Sequence, residues 1–137
     1  MRIKTHTVAG YLRLMALASL RRYRRKTHRF QAEQREIETW LTAIADAASL
    51  SPHLAFEIAE CANLIKGYGD TWKHGMANYR AIFEHVVRPA LARRLPVAVA
   101  ADAVANARAA ALGDPDGVRF TATLADIEKR TVLQAAE

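Results

Sequence analysis

The chain has 137 residues and a mass of 15.2 kDa, which is the size of one ordinary domain. Hydrophobic residues make up 51% of it and charged residues 25%, a globular composition that excludes a wholly disordered chain. The single cysteine, Cys61, excludes an intrachain disulfide, a zinc site of several cysteines and a protein-held iron–sulfur cluster. We therefore expect one domain over residues 1–137, located in the cytoplasm.

The net charge of +6 is unevenly distributed along the chain. Residues 1–32 hold nine basic residues and no acidic one, whereas residues 33–137 hold eleven basic and fourteen acidic residues. A uniformly basic surface would favour nucleic acid, whereas a dipolar chain fits docking to its own acidic half or to an acidic partner equally well.

The first part of the chain is helical in its periodicity. Between Val8 and Leu50 there is one glycine and no proline, which predicts either one long, bent helix or two helices meeting near Thr27–His28. In the second half of this stretch one apolar stripe is expected, formed by Phe30, Ile37, Leu41, Ile44 and Ala48. In the first half the large apolar residues point all round the helix, which predicts burial on more than one side: Leu12, Leu14, Met15, Leu17 and Leu20.

The middle of the chain predicts two helices separated by a glycine turn. Ser51 is expected to cap the first helix with Pro52 in its first turn, and Gly67 and Gly69 end it. Asp70 is expected to cap the second helix, which Pro89 stops or kinks. The stripes of both helices predict a common core of Leu54, Ile58, Ile65, Trp72, Met76, Tyr79 and Phe83.

The last third predicts an alanine-rich helix after Pro96, closed by Gly113 in a left-handed cap. A turn over residues 114–117 and a final helix from Val118 follow it. The sequence as a whole predicts an all-α antiparallel bundle of five or six helices, the first of them long and, if continuous to Leu50, bent. No run is long and apolar enough for a membrane span.

Two segments are candidates for binding. The basic run at residues 21–29 could bind nucleic acid, lipid or another anion through Arg21, Arg22, Arg24 and Arg25, or be a solvated helix paired with acids elsewhere. The second segment surrounds the glycine turn, where a helix start between two lysines could bind an anion or a partner. Its candidate residues are Lys66, Gly67, Tyr68, Gly69, Asp70, Thr71, Lys73 and His74. The competing interpretation is a purely structural helix–turn–helix corner.

No catalytic or metal-binding group emerges from the sequence. Its five histidines include no pair at a spacing of three or four residues, and Cys61 lies on an apolar stripe, as an inert core thiol would. We therefore assign no catalytic residue and no metal ligand.

Four segments resemble a known family: residues 8–14, the arginine block at 21–29, residues 58–62 and, most specifically, Lys66–Thr71. From about Val8 to Arg119 the chain resembles the C-terminal helical region of indolepyruvate oxidoreductase beta-subunit-like proteins, which belong to the 2-oxoacid:ferredoxin oxidoreductases. The resemblance implies oxidative decarboxylation of a 2-oxo acid with thiamine diphosphate and iron–sulfur clusters. It also implies that those cofactors are held by a partner subunit or by other domains.

The sequence thus favours a non-catalytic helical module of such an oxidoreductase, serving subunit association or an anionic cofactor or substrate site. Its expected partners are the other domains or subunits of the oxidoreductase, or a second copy of the chain, rather than nucleic acid or a membrane. The alternative is a small helical adaptor or nucleic-acid-associated protein that uses Arg21–Arg29.

Overall fold

The computed structural model describes residues 7–20, 28–114 and 117–135, and every described element is helical. The all-α prediction is confirmed, and so is the helix number, because the described residues form six helices when α4 and α5 are counted as one. The helices are α1 (Val8–Ser19), α2 (His28–Leu50), α3 (Pro52–Glu60), α4 (Asp70–Ile82), α5 (Arg88–Leu91), α6 (Val97–Gly113) and α7 (Val118–Ala135). The chain divides into two compact units, Met1–Thr39 and Trp40–Glu137.

The first unit contains α1 and the beginning of α2. Thr7 caps α1, because its backbone is extended and its hydroxyl accepts a hydrogen bond from the Gly10 amide at 3.1 Å. In the described residues α1 ends at Ser19 and α2 begins at His28, and the predicted bend or junction near Thr27–His28 falls on a segment, residues 21–27, outside them.

The prediction that α1 is buried on more than one side is wrong for this chain. Its large apolar side chains are exposed, and the only buried residue of the helix is Gly10. The periodicity of a sequence reports where an apolar surface lies and contains no information on what covers it.

The part of α2 in the second unit packs through small residues. Ala43 and Ala47 are buried, and the Trp40 indole Nε1 donates to the Ile58 carbonyl at 3.0 Å. Of the predicted stripe, Ile44 packs against the core, whereas Ile37, Leu41 and Ala48 are exposed. The stripe was wrong because alanines, which allow close approach of the backbone, form the packed face in place of the larger residues.

The predicted start of α3 is confirmed, since the Ser51 hydroxyl accepts from the Leu54 amide and Pro52 occupies the first turn. A 3₁₀ turn, Cys61–Leu64, continues α3. Farther along, the π turn Phe83–Val87 joins α4 to α5, with the Arg88 amide bonded to the Phe83 carbonyl. Pro89 follows at once, and because proline provides no amide and its ring blocks the preceding turn, a wider turn at this place is expected.

The alanine-rich α6 packs against α3, α4 and α7. The prediction of a left-handed cap at Gly113 is wrong, because Gly113 is the last helical residue and the positive φ falls on Gly117, at 75°. The buried Asp114 follows, and its carboxylate accepts hydrogen bonds from the Arg119 and Phe120 amides at the start of α7. The helix dipole and the unpaired amides of that end explain why this acid is located there.

Four of the seven predicted core residues, Leu54, Ile58, Tyr79 and Phe83, are buried, and Ile65 and Met76 pack against them half-buried. Trp72 was wrongly placed in this core, because it is only half-buried and lies near the exposed beginning of α4. Within the described ranges, no helix is long and apolar enough to cross a membrane.

Candidate functional site

The turn between α3 and α4 depends on two glycines. Gly67 and Gly69 have φ angles of 81° and 62°, in the region that side-chain-bearing residues rarely adopt. The chain therefore reverses within five residues of Leu64 and places the first turn of α4 beside the 3₁₀ turn. Tyr68, between the two glycines, is 95% exposed and contributes no buried contact.

A third glycine brings the two elements into direct contact. A Cβ atom at Gly75 would lie 2.1 Å from the Leu64 carbonyl oxygen, a distance that no side chain can adopt. The backbone of α4 at Gly75 therefore lies against the backbone of the 3₁₀ turn, which fixes the angle at which α4 leaves the corner.

A groove of about 450 Å³ opens at this corner. It brings together four of the predicted residues, Lys66, Asp70, Thr71 and His74. The remaining lining residues were not among the predicted candidates; they lie on the 3₁₀ turn, on α4 and on α6: Asn63, Leu64, Gly75, Asn78, Ala111 and Leu112. Gly67, Tyr68, Gly69 and Lys73 were predicted with this group and do not line the groove.

The prediction that Asp70 caps α4 is wrong. Gly69 occupies the capping position and offers no side chain, while Asp70 is the first helical residue. The Asp70 carboxylate instead accepts a hydrogen bond from the Lys73 ammonium at 2.8 Å, in an exposed i, i+3 pair. An N-terminal cap requires an extended backbone one residue before the helix, and Asp70 is one residue too late.

The charges at the groove follow from this pairing. Because Asp70 and Lys73 neutralise each other, the remaining basic side chains in the lining are Lys66 and His74. Thr71 and Asn78 add hydrogen-bond donors, and Leu64, Ala111 and Leu112 provide an apolar wall. This combination suits a ligand with one anionic group and a short apolar portion.

A buried ion cluster lies behind the groove. Arg108 of α6 bonds to two acids of α3, with its guanidinium 2.5 Å from the Glu57 carboxylate and 3.2 Å from that of Glu60. Asn63, which lines the groove, donates to the same Glu60 carboxylate at 2.9 Å. The cluster therefore ties the groove wall to the packing of α3 against α6, although Arg108 leaves its buried Nε atom without a partner.

Cys61 adjoins this cluster and is buried. Desolvation raises the pKa of its thiol to about 12; Arg108 opposes the increase and Glu57 and Glu60 add to it. The Sγ atom lies 3.3 Å from the Glu57 carbonyl oxygen, to which the thiol donates. A protonated, buried thiol has the properties of the inert core residue that the sequence predicted.

The other predicted segment, with Arg21, Arg22, Arg24 and Arg25, lies outside the described residues. Among the residues that are described, no three histidine, cysteine or acidic side chains are grouped so as to hold a metal ion.

Comparison with known families gives one match. The sequence model of DUF6537, a family of unknown function, matches residues 1–85, which is more than half of the chain. The chain belongs to the DUF6537 family. The match covers α1 to α4, including the glycine turn between the 3₁₀ turn and α4. The helices α6 and α7 of this DUF6537 chain lie beyond the matched residues. No curated protein and no solved structure matches the chain.

Proposed function

We propose that this DUF6537 chain is a non-catalytic helical module of a 2-oxoacid oxidoreductase of the indolepyruvate type. Its groove would hold an anionic group of the cofactor or substrate, such as a coenzyme A phosphate or the carboxylate of the 2-oxo acid. The resemblance of Lys66–Thr71 to the helical region of the beta-subunit-like proteins supports the assignment to this class of enzyme. The module would act in the cytoplasm, together with the other subunits or domains.

One observation carries the proposal: the groove brings Lys66 and His74 together with Thr71 and Asn78. Its volume of about 450 Å³ lies within the range of small-molecule sites. The exposed pairing of Asp70 with Lys73 offsets part of the charge of the one acid in the lining. The lining is then basic and rich in donors, with an apolar wall that could contact an acyl chain or an indole.

In this proposal the chemistry of decarboxylation belongs to other parts of the enzyme. Thiamine diphosphate supplies the electron sink for carbanion chemistry, and iron–sulfur clusters require several cysteine ligands, of which this chain has only one. We therefore expect the purified chain to decarboxylate no indolepyruvate when given thiamine diphosphate, Mg²⁺ and an electron acceptor. Turnover in that assay would contradict the non-catalytic assignment.

Calorimetric titration with coenzyme A, indolepyruvate and inorganic phosphate tests the groove. We expect at least one of these anions to bind, and Lys66→Gln to weaken its binding about tenfold, which corresponds to about 1.4 kcal/mol. Lys129→Gln is the matched control, since it removes an equal charge from an exposed position on α7 that does not line the groove. If none of the anions binds, or if both variants weaken binding equally, the groove is not an anion site.

The alternative function, a nucleic-acid-associated adaptor, depends on the basic run at residues 21–29. It predicts that a labelled single-stranded RNA binds with a steep salt dependence, and that Arg24→Gln with Arg25→Gln removes this binding. Under the oxidoreductase proposal the same titration gives no binding at physiological salt.

A further inference from the structure

The α1 helix has a surface that is unusual for a folded chain. Six of its twelve residues are large, apolar and exposed, with Val8 at 78%, Tyr11 at 59% and Leu12 at 58%. Leu14, Met15 and Leu17 are the others, and together the six are called the α1 surface below. Exposed apolar residues scattered singly are ordinary, but a contiguous set on one helix marks an interaction site.

The distribution of these residues around α1 indicates whether a partner would contact one side of the helix or enclose it. At 100° per residue, Val8, Leu12 and Met15 lie on one side of α1, and Leu14 and Leu17 lie on the other. A bilayer surface or one neighbouring helix covers a single side, and a helix that binds membrane surfaces has a strongly polar opposite face, which α1 does not have. A helix that is apolar all round is enclosed by protein on more than one side, as in a groove between helices.

The charge of the same region indicates the chemistry of the partner. Arg13 is the only charged residue of α1, and residues 1–32 hold nine basic residues without an acid. Two copies of the chain that met through α1 would bring these bases together, which is unfavourable. A groove with acidic residues along its rim would attract the same segment.

We propose that α1 inserts into an apolar groove, rimmed by acidic side chains, on a separate protein subunit. The inference stands on α1 alone and goes beyond the proposed function, because it does not require the groove at Lys66 to bind an anion. It also explains why an apolar helix that the periodicity predicts to be buried is exposed in this chain.

Photo-crosslinking in the cells that make the protein identifies the occupant. The full chain would carry p-benzoylphenylalanine in place of Leu17 in one variant and, as the control, in place of Val132, which is an equally apolar position on α7 and 69% exposed. We expect the probe at position 17 to give one defined protein adduct that the probe at position 132 does not give. Mass spectrometry names the adduct, and the purified partner is then titrated with the unlabelled chain.

The affinity of the purified partner for variants of the chain tests the proposal. Leu12→Gln with Leu17→Gln should weaken binding to the purified partner at least tenfold, because glutamine preserves the helix and removes the apolar contact. Val132→Gln should leave the affinity unchanged, and raising NaCl from about 0.05 to 0.5 M should weaken binding of the parent chain. Unchanged circular dichroism of the variants excludes unfolding as the cause.

Other results overturn the inference. These are a crosslink only within the chain, between α1 and residues 40–137, or an adduct only with a second copy. An adduct only with lipid together with cosedimentation on phosphatidylglycerol vesicles, no adduct at all, or full affinity in the double variant would overturn it as well. If the captured protein is not an oxidoreductase subunit but the titration succeeds, the proposed function fails and the docking of α1 holds.

Discussion

Two helices of this chain, α1 and α6, are apolar on most sides, and the chain buries only one of them. In α6 the buried residues are alanines and a valine, which allow α3, α4 and α7 to approach closely. In α1 the apolar residues are leucine, methionine, tyrosine and valine, and they are exposed. The comparison indicates that small apolar residues mark the helix around which this fold packs, whereas large ones mark the helix whose apolar side chains are exposed.

The largest expected difference is in thiol reactivity, between a cysteine in the buried core around α6 and a cysteine on the exposed α1. Because the pKa of Cys61 is raised from 9.0 to about 12, its thiolate fraction at pH 8 falls about a thousandfold. We expect native Cys61 to resist iodoacetamide, whereas Cys61→Ser with Ala16→Cys, a thiol on α1, reacts at the rate of a free thiol. Mass spectrometry over a time course measures both, and rapid labelling of native Cys61 would contradict its burial.

The same raised pKa gives a dependence of stability on pH. The unfolded thiol ionises near pH 9 and the folded one near pH 12, so the unfolded state loses its proton first. This contribution to folding stability is complete below about pH 9 and decreases as pH rises toward 12. Urea unfolding of the parent and of Cys61→Ala over that range should show a steeper decrease in the parent, because tyrosines and lysines titrate in both chains.

The helices α1 and α6 each have one basic residue. We expect substitutions of these two residues to differ strongly in their effect on the free energy of unfolding. Arg108→Ala in α6 removes the guanidinium bonded to the buried Glu57 and leaves His53 Nε2, at 3.8 Å, beside that carboxylate, which should cost about 3 kcal/mol of unfolding free energy. Arg13→Ala in α1 removes an exposed charge and should change stability by less than about 0.5 kcal/mol. Denaturant unfolding compares them, and equal costs would refute the contrast between the two regions.

A smaller effect is expected where α4 contacts the 3₁₀ turn. Gly75→Ala places a methyl group against the Leu64 carbonyl and should cost about 2 kcal/mol, since backbone must move to admit it. Gly113→Ala is the matched control, because nothing lies within 4 Å of that position, and it should stabilise by about 0.5–1 kcal/mol. The same sign for both substitutions would show that the corner is not closely packed.

The smallest effect is expected at Arg93, the described non-glycine residue with a positive φ, at 56°. It ends α5 in a left-handed cap, with the Arg94 amide bonded to the Pro89 carbonyl at 2.9 Å. Arg93→Gly should increase the free energy of unfolding by about 0.5–1 kcal/mol, because glycine adopts this conformation without strain. The melting temperature should therefore rise slightly. A lower melting temperature would indicate that the Arg93 side chain makes a stabilising contact.

The sequence predicted local features better than tertiary ones. The cap at Ser51 depends on neighbouring residues and was predicted correctly, as were the helical class and the place of the glycine turn at 67 and 69. The Asp70 cap failed by one residue, because the positive φ of Gly69 decides where α4 begins and periodicity does not report it.

The residues that line the groove show more clearly which tertiary contacts the sequence could not predict. Lys66, Thr71 and His74 were predicted together because they are close in sequence, but Ala111 and Leu112 reach the groove only through the packing of α6. Arg108 and Glu57 are likewise 51 residues apart, and no local pattern could pair them. Contacts of this kind depend on which helices meet, which one sequence does not determine by inspection.

The central position of α6 has a consequence for how the protein folds. Residues 1–85, the part that matches the family, contain the apolar faces of α3 and α4 but neither α6 nor α7. A polypeptide cut after His85 would expose Leu54 and Ile58 and leave Glu57 without Arg108. We therefore expect it to aggregate, so that the segment recognisable by descent is shorter than the segment that can fold cooperatively.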